Sequence, residues 1–297
     1  MGTPDFAVAS LEAILRAEYQ VVAVITAPDK PAGRGLKLQE SAVKTFALAH
    51  SIPILQPVNL KAPEFIDELK SYQADIQVVI AFRMLPEVVW NMPPLGTFNL
   101  HASLLPAYRG AAPINRAIMN GEKETGVSTF FLQHEIDTGP IVFSERTAIE
   151  EHETAGELHD RLMLLGASLV IKTLDAVISG TCPQNPQVIS GPLPTAPKLF
   201  KEDCRLDPEW SIHKIYNHIR GLSPYPGAFT FFKEKQLKIF AAEKHPSLAG
   251  KNAGEWVIEN NKDLYWQCSD GSVRITDLQL EGKRRMKTEE LLRGMHL

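Results

Sequence analysis

The sequence predicts an α/β protein in two parts: a doubly wound, mostly parallel sheet, followed by a smaller all-β domain. Three observations carry that reading. Over the first 180 residues, short apolar runs alternate with segments of helical period. Residues 180–200, GTCPQNPQVISGPLPTAPKLF, hold five prolines and read as a linker laid over the surface. Beyond them, short strand-like pieces recur between Gly, Asn and Asp turns. The expected limits are 1–180 for the α/β part, 181–200 for the linker and 201–297 for the β part.

The elements follow in order. PDFAVASLEAILRAEY (4–19) sets Phe6, Val8, Leu11, Ile14 and Leu15 at helical spacing. QVVAVIT (20–26) is nearly all apolar, as in a strand covered on both faces. KAPEFIDELKSYQA (61–74) reads as helix, and DIQVVIAF (75–82), GTFNLHA (96–102) and GVSTFFLQ (126–133) as strands. The long helix TAGELHDRLMLLGASLVIKTLDAVISG (154–180) opens on a capping box, Thr154 with Glu157, and stops at Gly180. After the linker, SIHKIYNHIRGL (211–222) is a short helix. GAFTFFK, QLKIFAAE, EWVIE, LYWQCS and SVRITDLQ are strands of a barrel or small sandwich, and KTEELLRGM is a closing helix. A doubly wound unit normally opens on a strand. This chain opens on a loop, MGTPDF. A start set at an internal methionine is the favoured reading, because losing a central strand leaves its neighbours with unpaired backbone groups.

Composition excludes some classes. The 297 residues are 44% apolar and 22% charged, as in an ordinary globular protein. No run reaches the ~18 apolar residues of a membrane span, and no signal peptide is visible at MGTPDFAVAS. The three cysteines, Cys182, Cys204 and Cys268, are far apart and fit neither a disulfide framework nor a zinc site. A cytoplasmic protein without a metal is expected. The net charge of −4 divides into +2 over 201–297 and −6 over the rest, a difference of the size surfaces ordinarily show.

The chemistry concentrates at one strand exit. In FNLHASLLPAYRGAAP (98–113), alternation puts Asn99 and His101 on the same side of an extended chain. Ligands in open α/β sheets bind outside the carboxyl ends of strands. Asp137, in QHEIDTGPIV, is a third polar candidate. Each has a plain structural alternative: a hydrogen-bonded histidine, a turn-capping asparagine, an Asx-turn at Asp-x-Gly. Ser103 lacks the Gly-x-Ser-x-Gly elbow of a serine nucleophile. His152 and His159 lie seven apart without a third zinc ligand, and GRGLKL is followed by no GKS or GKT. An amide, an imidazole and a carboxylate without a protein nucleophile suit acyl transfer to an external nucleophile.

FNLHASLLPAYRGAAPINRAIMNGEKETGVSTFFLQHEIDTGPIV resembles the signature of the folate-dependent formyltransferases: N-x-H, then SLLP, RG, TG and D-x-G. GTPDFAVASLEAI, APDKPAGRGLKL, IPILQP, TAPKLFKED, IRGLSPYPGAFT and LLRGM are similar to the same family, and to its members that act on a charged tRNA. The resemblance runs nearly end to end. It implies a Rossmann-like catalytic domain, here lacking its first strand, and a C-terminal OB-like β-barrel that holds tRNA. It implies Asn99, His101 and Asp137 as the catalytic trio. It implies 10-formyltetrahydrofolate as co-substrate, held by Ser103, Leu104, Leu105 and Pro106, with Met84, Leu85 and Phe82 lining the pteridine slot. The acceptor it implies is the α-amino group of methionine on initiator tRNA. The loop DKPAGRGLKLQESAVK, read as mobile through Pro31, Gly33 and Gly35, would present Lys30, Arg34, Lys37 and Lys44 to that tRNA, and GKRRMK (282–287) would add phosphate contacts. No membrane contact and a monomeric state are expected. Alternatives kept open are glycinamide ribonucleotide, an amino-sugar nucleotide or water as acceptor, and a non-catalytic nucleic-acid-binding protein on the same scaffold. The DKPAGRGLKL and IRGLSPYPGAFT motifs argue against the first two.

Overall fold

A computed structural model of the chain describes residues 1–32, 37–189 and 191–294, the side chains of residues 31, 32 and 37 excepted. The chain divides into two compact units, residues 1–110, 126–147 and 159–194 in one, residues 111–125, 148–158 and 195–297 in the other.

Helix α1 (Asp5–Arg16) buries Phe6, Ala7, Ser10 and Leu11, while Val8, Ile14 and Leu15 of the expected set are half-buried. Strand β1 (Val24–Ile25) follows. β2 (Lys30–Ala32) and β3 (Lys37–Gln39) pair antiparallel. Helix α2 (Ala42–Ala49) is capped by Ser41, whose Oγ accepts from the Lys44 amide at 3.1 Å. β4 (Ile54–Leu55) pairs parallel with β1. Then come α3 (Pro63–Ser71), β5 (Gln77–Ile80), α4 (Glu87–Trp90), β6 (Thr97–His101), β7 (Arg109–Gly110), α5 (Pro113–Met119), β8 (Glu124–Phe131), β9 (Ile141–Ala148) and α6 (Ala155–Ile178).

β5, β6, β8 and β9 form a sheet in that order, with β5 and β6 parallel and β6 and β8 antiparallel. An antiparallel edge on a parallel sheet is a common arrangement. β6 lies inside the sheet, and Phe98 and Phe130 are fully buried, each contributing about 1.5–3 kcal/mol by leaving water. Helix α6 crosses this strand at Gly166, where a Cβ would stand 2.7 Å from Leu100 Cδ2. The helix backbone rests directly on β6 and fixes its height. Met1 and Gly2 sit between β1 and β5: Gly2 N donates to Ile25 O at 3.0 Å, and Ile80 N donates to Met1 O at 2.9 Å. The apolar run 20–26, expected to be a strand throughout, pairs only at Val24 and Ile25. Its partner is bracketed by Pro53 and Pro57, which have no N–H to extend the ladder. The stretch expected to be a mobile loop is a hairpin on both flanks, with Lys30 opposite Gln39 and Ala32 opposite Lys37; Gly33, Arg34 and Gly35 lie outside the described residues.

The second unit carries β10 (Thr195–Ala196), a 3-10 turn at Glu202–Cys204, α7 (Ile212–Gly221), β11 (Ala228–Phe232), β12 (Lys235–His245), β13 (Trp256–Glu259), β14 (Asp263–Gln267), β15 (Ser272–Leu280), β16 (Met286–Lys287) and α8 (Thr288–Arg293). The sheet order is β11-β12-β15-β14-β13, with β16 on β15. Trp256 Nε1 on β13 donates to Phe231 O on β11 at 3.0 Å. That bond joins opposite ends of the path, so the sheet curls toward closure. Ile215 and Ile219, one helical turn apart on α7, enter its core with Leu237, Trp266, Val273 and Leu278. The capping box predicted at the start of α6 forms: Glu157 Oε2 accepts from Thr154 N at 2.8 Å, and Thr154 Oγ1 accepts from Glu157 N at 3.3 Å. The three cysteines are free; Cys204 and Cys268 are buried and Cys182 is half-buried. Among the described residues no helix is long and apolar enough to cross a membrane, and no group of His, Cys, Asp and Glu is placed to hold a metal ion.

Candidate active site

Asn99 and His101 leave the sheet on one side of β6, as alternation requires. In register, Asn99 faces Phe130 and His101 faces Ser128 on β8. His101 is 7% exposed, and its Nε2 bonds to Tyr108 O at 2.9 Å. A carbonyl only accepts, so Nε2 carries the hydrogen. In the neutral ring Nδ1 is therefore the nitrogen without a hydrogen. The Asn99 Oδ1 atom is buried and has no hydrogen-bond partner among the described residues. Leaving such an acceptor unpaired costs about 1–3 kcal/mol, which a bound N–H group would recover.

The segment after His101 folds back over Ser128. Ser128 Oγ donates to Ser103 O at 2.8 Å and accepts from Leu105 N at 3.2 Å. Ser103 Oγ donates to Ala107 O at 2.7 Å. Tyr108 then takes a left-handed φ of 59°, which turns its carbonyl to His101. Asp137 lies on the turn between β8 and β9, also left-handed at φ 54°. Its Oδ2 accepts from Gly110 N at 3.1 Å. The turn is drawn against β8 at Gly139, where a Cβ would fall 1.7 Å from Phe131 O. The imidazole and the carboxylate are thus anchored two residues apart on one segment, His101 on Tyr108 and Asp137 on Gly110. Their anchor points lie within about 7 Å of each other along the chain. No hydrogen bond or ion pair joins ring and carboxylate directly.

The expected folate residues separate by burial. Ser103 and Leu105 are buried, Leu104 and Pro106 half-buried. Met84 is 76% exposed. Leu85 packs in the core with Leu60, Phe65, Val79 and Val89. Phe82 is half-buried beneath the Arg83 guanidinium, whose Nη1 donates to Val58 O at 2.9 Å.

The expected tRNA residues are unequal. Lys30 is exposed on β2. Arg34 lies outside the described residues, and for Lys37 only the backbone, on β3, is described. Lys44 is paired with Asp29 and, at 3.0 Å, with Glu40. These carboxylates hold its ammonium above its ordinary value, while Lys44 and Gln56 hold Asp29 below its own. In GKRRMK, Arg284 pairs with Glu290, and Arg285 and Lys287 share Asp277 at 2.8 and 3.2 Å. Two residues the sequence did not single out also meet the site. Ser128 is discoverable as the register partner of His101. Gln187 sits in the proline-rich stretch, where no local pattern marks it.

Residues 1–174 match the formyl transferase family model, and residues 198–296 match the model of the formyl transferase C-terminal domain. The chain belongs to the formyltransferase family. This formyltransferase is 52% identical over 305 residues to the methionyl-tRNA formyltransferase of Bacteroides fragilis, covering 100% of this chain and 94% of that relative. It is 51% identical over 303 residues to the methionyl-tRNA formyltransferase of Flavobacterium johnsoniae, covering 99% and 95%. Among solved structures it resembles WlaRD, a sugar 3N-formyltransferase crystallised with dTDP and 5-N-formyl-THF, with a TM-score of 0.67 at 22% identity over 95% of this chain and 97% of that one. It also resembles HypX from Aquifex aeolicus in complex with tetrahydrofolic acid, with a TM-score of 0.61 at 20% identity over 82% of this chain and 43% of that one. These two likenesses concern the fold. The family expected from the strand-exit signature is the one the comparisons return.

Proposed function

We propose that this formyltransferase moves the formyl group of 10-formyltetrahydrofolate to the α-amino group of methionine on initiator tRNA. The observation that carries the reading is identity of about half the residues to several methionyl-tRNA formyltransferases over essentially the whole chain. The matched ranges also support a catalytic part at 1–180, a link at 181–200 and a tRNA-holding part at 201–297.

The folate supplies an activated acyl carbon when bound. The chain's residues then act as follows. Asn99 offers both ends of its amide: Nδ2 donates to the oxygen that gains charge, and the unpartnered Oδ1 accepts an N–H of the incoming amine. An α-amino group titrates near ~7.7–8.0 in model peptides, so a neutral fraction exists at working pH without a strong base. His101 keeps Nε2–H on Tyr108 and handles the travelling proton at Nδ1. Asp137, held by the Gly110 N–H, keeps its carboxylate on the segment that also anchors the His101 ring. Leu104 and Pro106 would offer half-buried surface to the folate, backed by Ser103 and Leu105, and Met84 and Leu85 would line the pteridine slot. Lys30 on β2, together with Arg34 and Lys37 of the same sequence stretch, would meet tRNA phosphates. Lys44, neutralised by Asp29 and Glu40, would add less.

The test supplies 10-formyltetrahydrofolate with three acceptors separately: charged initiator tRNA, charged elongator methionine tRNA, and glycinamide ribonucleotide. Labelling of the initiator alone is expected. Labelling of the nucleotide alone, or formate release without any acceptor, overturns the reading. Asn99→Ala is expected to lose roughly 10²–10³ in kcat.

A further inference from the structure

Gln187 lies in the stretch the sequence presents as a linker, yet its amide is fully used. Nε2 donates to Asp137 O at 2.9 Å and to Gly139 O at 2.8 Å. Oε1 accepts from Arg109 Nε at 3.2 Å and Arg109 Nη2 at 2.5 Å. A primary amide has two donors and two lone pairs, so all four positions are filled. The arrangement has only one sense: reversing the amide would set N–H groups against a guanidinium and oxygen against two carbonyls. Two residues earlier, Asn185 and Ile141 exchange backbone bonds at 2.8 and 2.9 Å. Residues 185–187 therefore grip the β8–β9 turn at three points, 137, 139 and 141.

What Gln187 grips distinguishes it from an ordinary surface tie. Arg109 stands between the two anchors of the site: Tyr108, which holds His101, and Gly110, which holds Asp137. The contacts close a loop through Arg109, Gln187, Asp137 and Gly110, and His101 is tied to that loop at Tyr108. Gln187 holds the Asp137 backbone carbonyl, while the Gly110 amide holds the Asp137 carboxylate. The left-handed backbone at Asp137 is a conformation that needs outside support.

We propose that Gln187 is a positioning residue for formyl transfer, holding the Asp137 turn in register with the Tyr108–Gly110 segment so that the carboxylate faces the His101 ring. The proposal rests on the assignment of Asn99, His101 and Asp137 given above. Misplacing a group by about 1 Å costs up to roughly 100-fold in rate. Gln187→Ala should therefore lower kcat by roughly 10- to 100-fold, with KM for charged tRNA within about twofold of wild type.

The experiment measures kcat and KM against pH for wild type, Gln187→Ala, Gln187→Glu, Asp137→Asn and the Gln187→Ala/Asp137→Asn double variant. Gln187→Glu keeps a partner for Arg109 but has no N–H for the two carbonyls, so it should fall with Gln187→Ala. Both should displace the pH profile of kcat, which a purely structural tie would leave in place. In the Asp137→Asn background, Gln187→Ala should add no more than about a twofold loss, because its effect passes through Asp137. If Asp137→Asn is impaired while Gln187→Ala keeps wild-type kcat, or while the two losses multiply, the positioning role is overturned alone. A stability loss with an unchanged pH profile overturns it as well. If Asp137→Asn itself keeps wild-type kcat, the assignment of Asp137 falls, and the positioning role falls with it.

Discussion

Replacing Ser128 by alanine tests how the loop over the site is held. The hydroxyl has one hydrogen and two lone pairs, and all three are engaged. The hydrogen goes to Ser103 O, and the lone pairs take Leu105 N–H and the Ser144 hydroxyl at 2.9 Å. Ser128 is fully buried and Leu105 is 7% exposed, so water does not replace the lost acceptor. Stranding the Leu105 N–H costs about 1–3 kcal/mol, and losing the bond to Ser103 adds about 1 kcal/mol. Ser144 is exposed and turns to solvent. The total is about 2–4 kcal/mol, or about 3–7 °C in Tm for a protein of this size. Calorimetry and urea midpoints measure it, with Ser144→Ala as the control at under about 0.5 kcal/mol. KM for the folate should rise in Ser128→Ala as residues 103–106 loosen. A Ser128→Ala protein within about 0.5 kcal/mol of wild type, or matched by Ser144→Ala, refutes the reasoning.

Three other outcomes follow from the packing and charge. Gly139→Ala drives its Cβ into the Phe131 carbonyl at 1.7 Å; a loss of about 2 kcal/mol or more is expected in thermal melts, with kcat falling alongside as the Asp137 turn moves. Burial pushes the His218 imidazole below its ordinary value of 6.5. The unfolded chain then binds the extra proton first as pH falls. This group's contribution is complete above pH 6.5 and is lost as pH drops toward the folded value, so Tm should fall between pH 7 and 5, and His218→Gln should flatten that slope. Thr154→Ala removes the capping box at the start of α6 and should cost about 1 kcal/mol in a urea titration.

Local pattern carried much of this molecule. The C-terminal strands stand where period-two runs end in Gly, Asn and Asp turns, because each turn needs those residues. Asn99 and His101 were legible because two residues along a strand share a face. Asp137 was legible only as a turn residue; that its carboxylate meets Gly110 N is a contact 27 residues away in sequence, which no window contains. The hairpin at 30–39 was masked by Pro31, Gly33 and Gly35, which read as breakers although the flanking strands pair. Gln187 left no trace, since its partners lie 48–78 residues back and its neighbours are prolines and exposed side chains.

The unequal burial of the three thiols has a practical use. Cys268 is pushed up to about 12, and burial raises Cys204 too, so neither offers a thiolate to a passing electrophile. Cys182, also raised but half-buried, is the sulfur a maleimide reaches first. It stands three residues before Asn185 and five before Gln187. A dye placed there in the unaltered protein would ride beside residues 185–187, so fluorescence reports directly on whether their contacts to the β8–β9 turn are made.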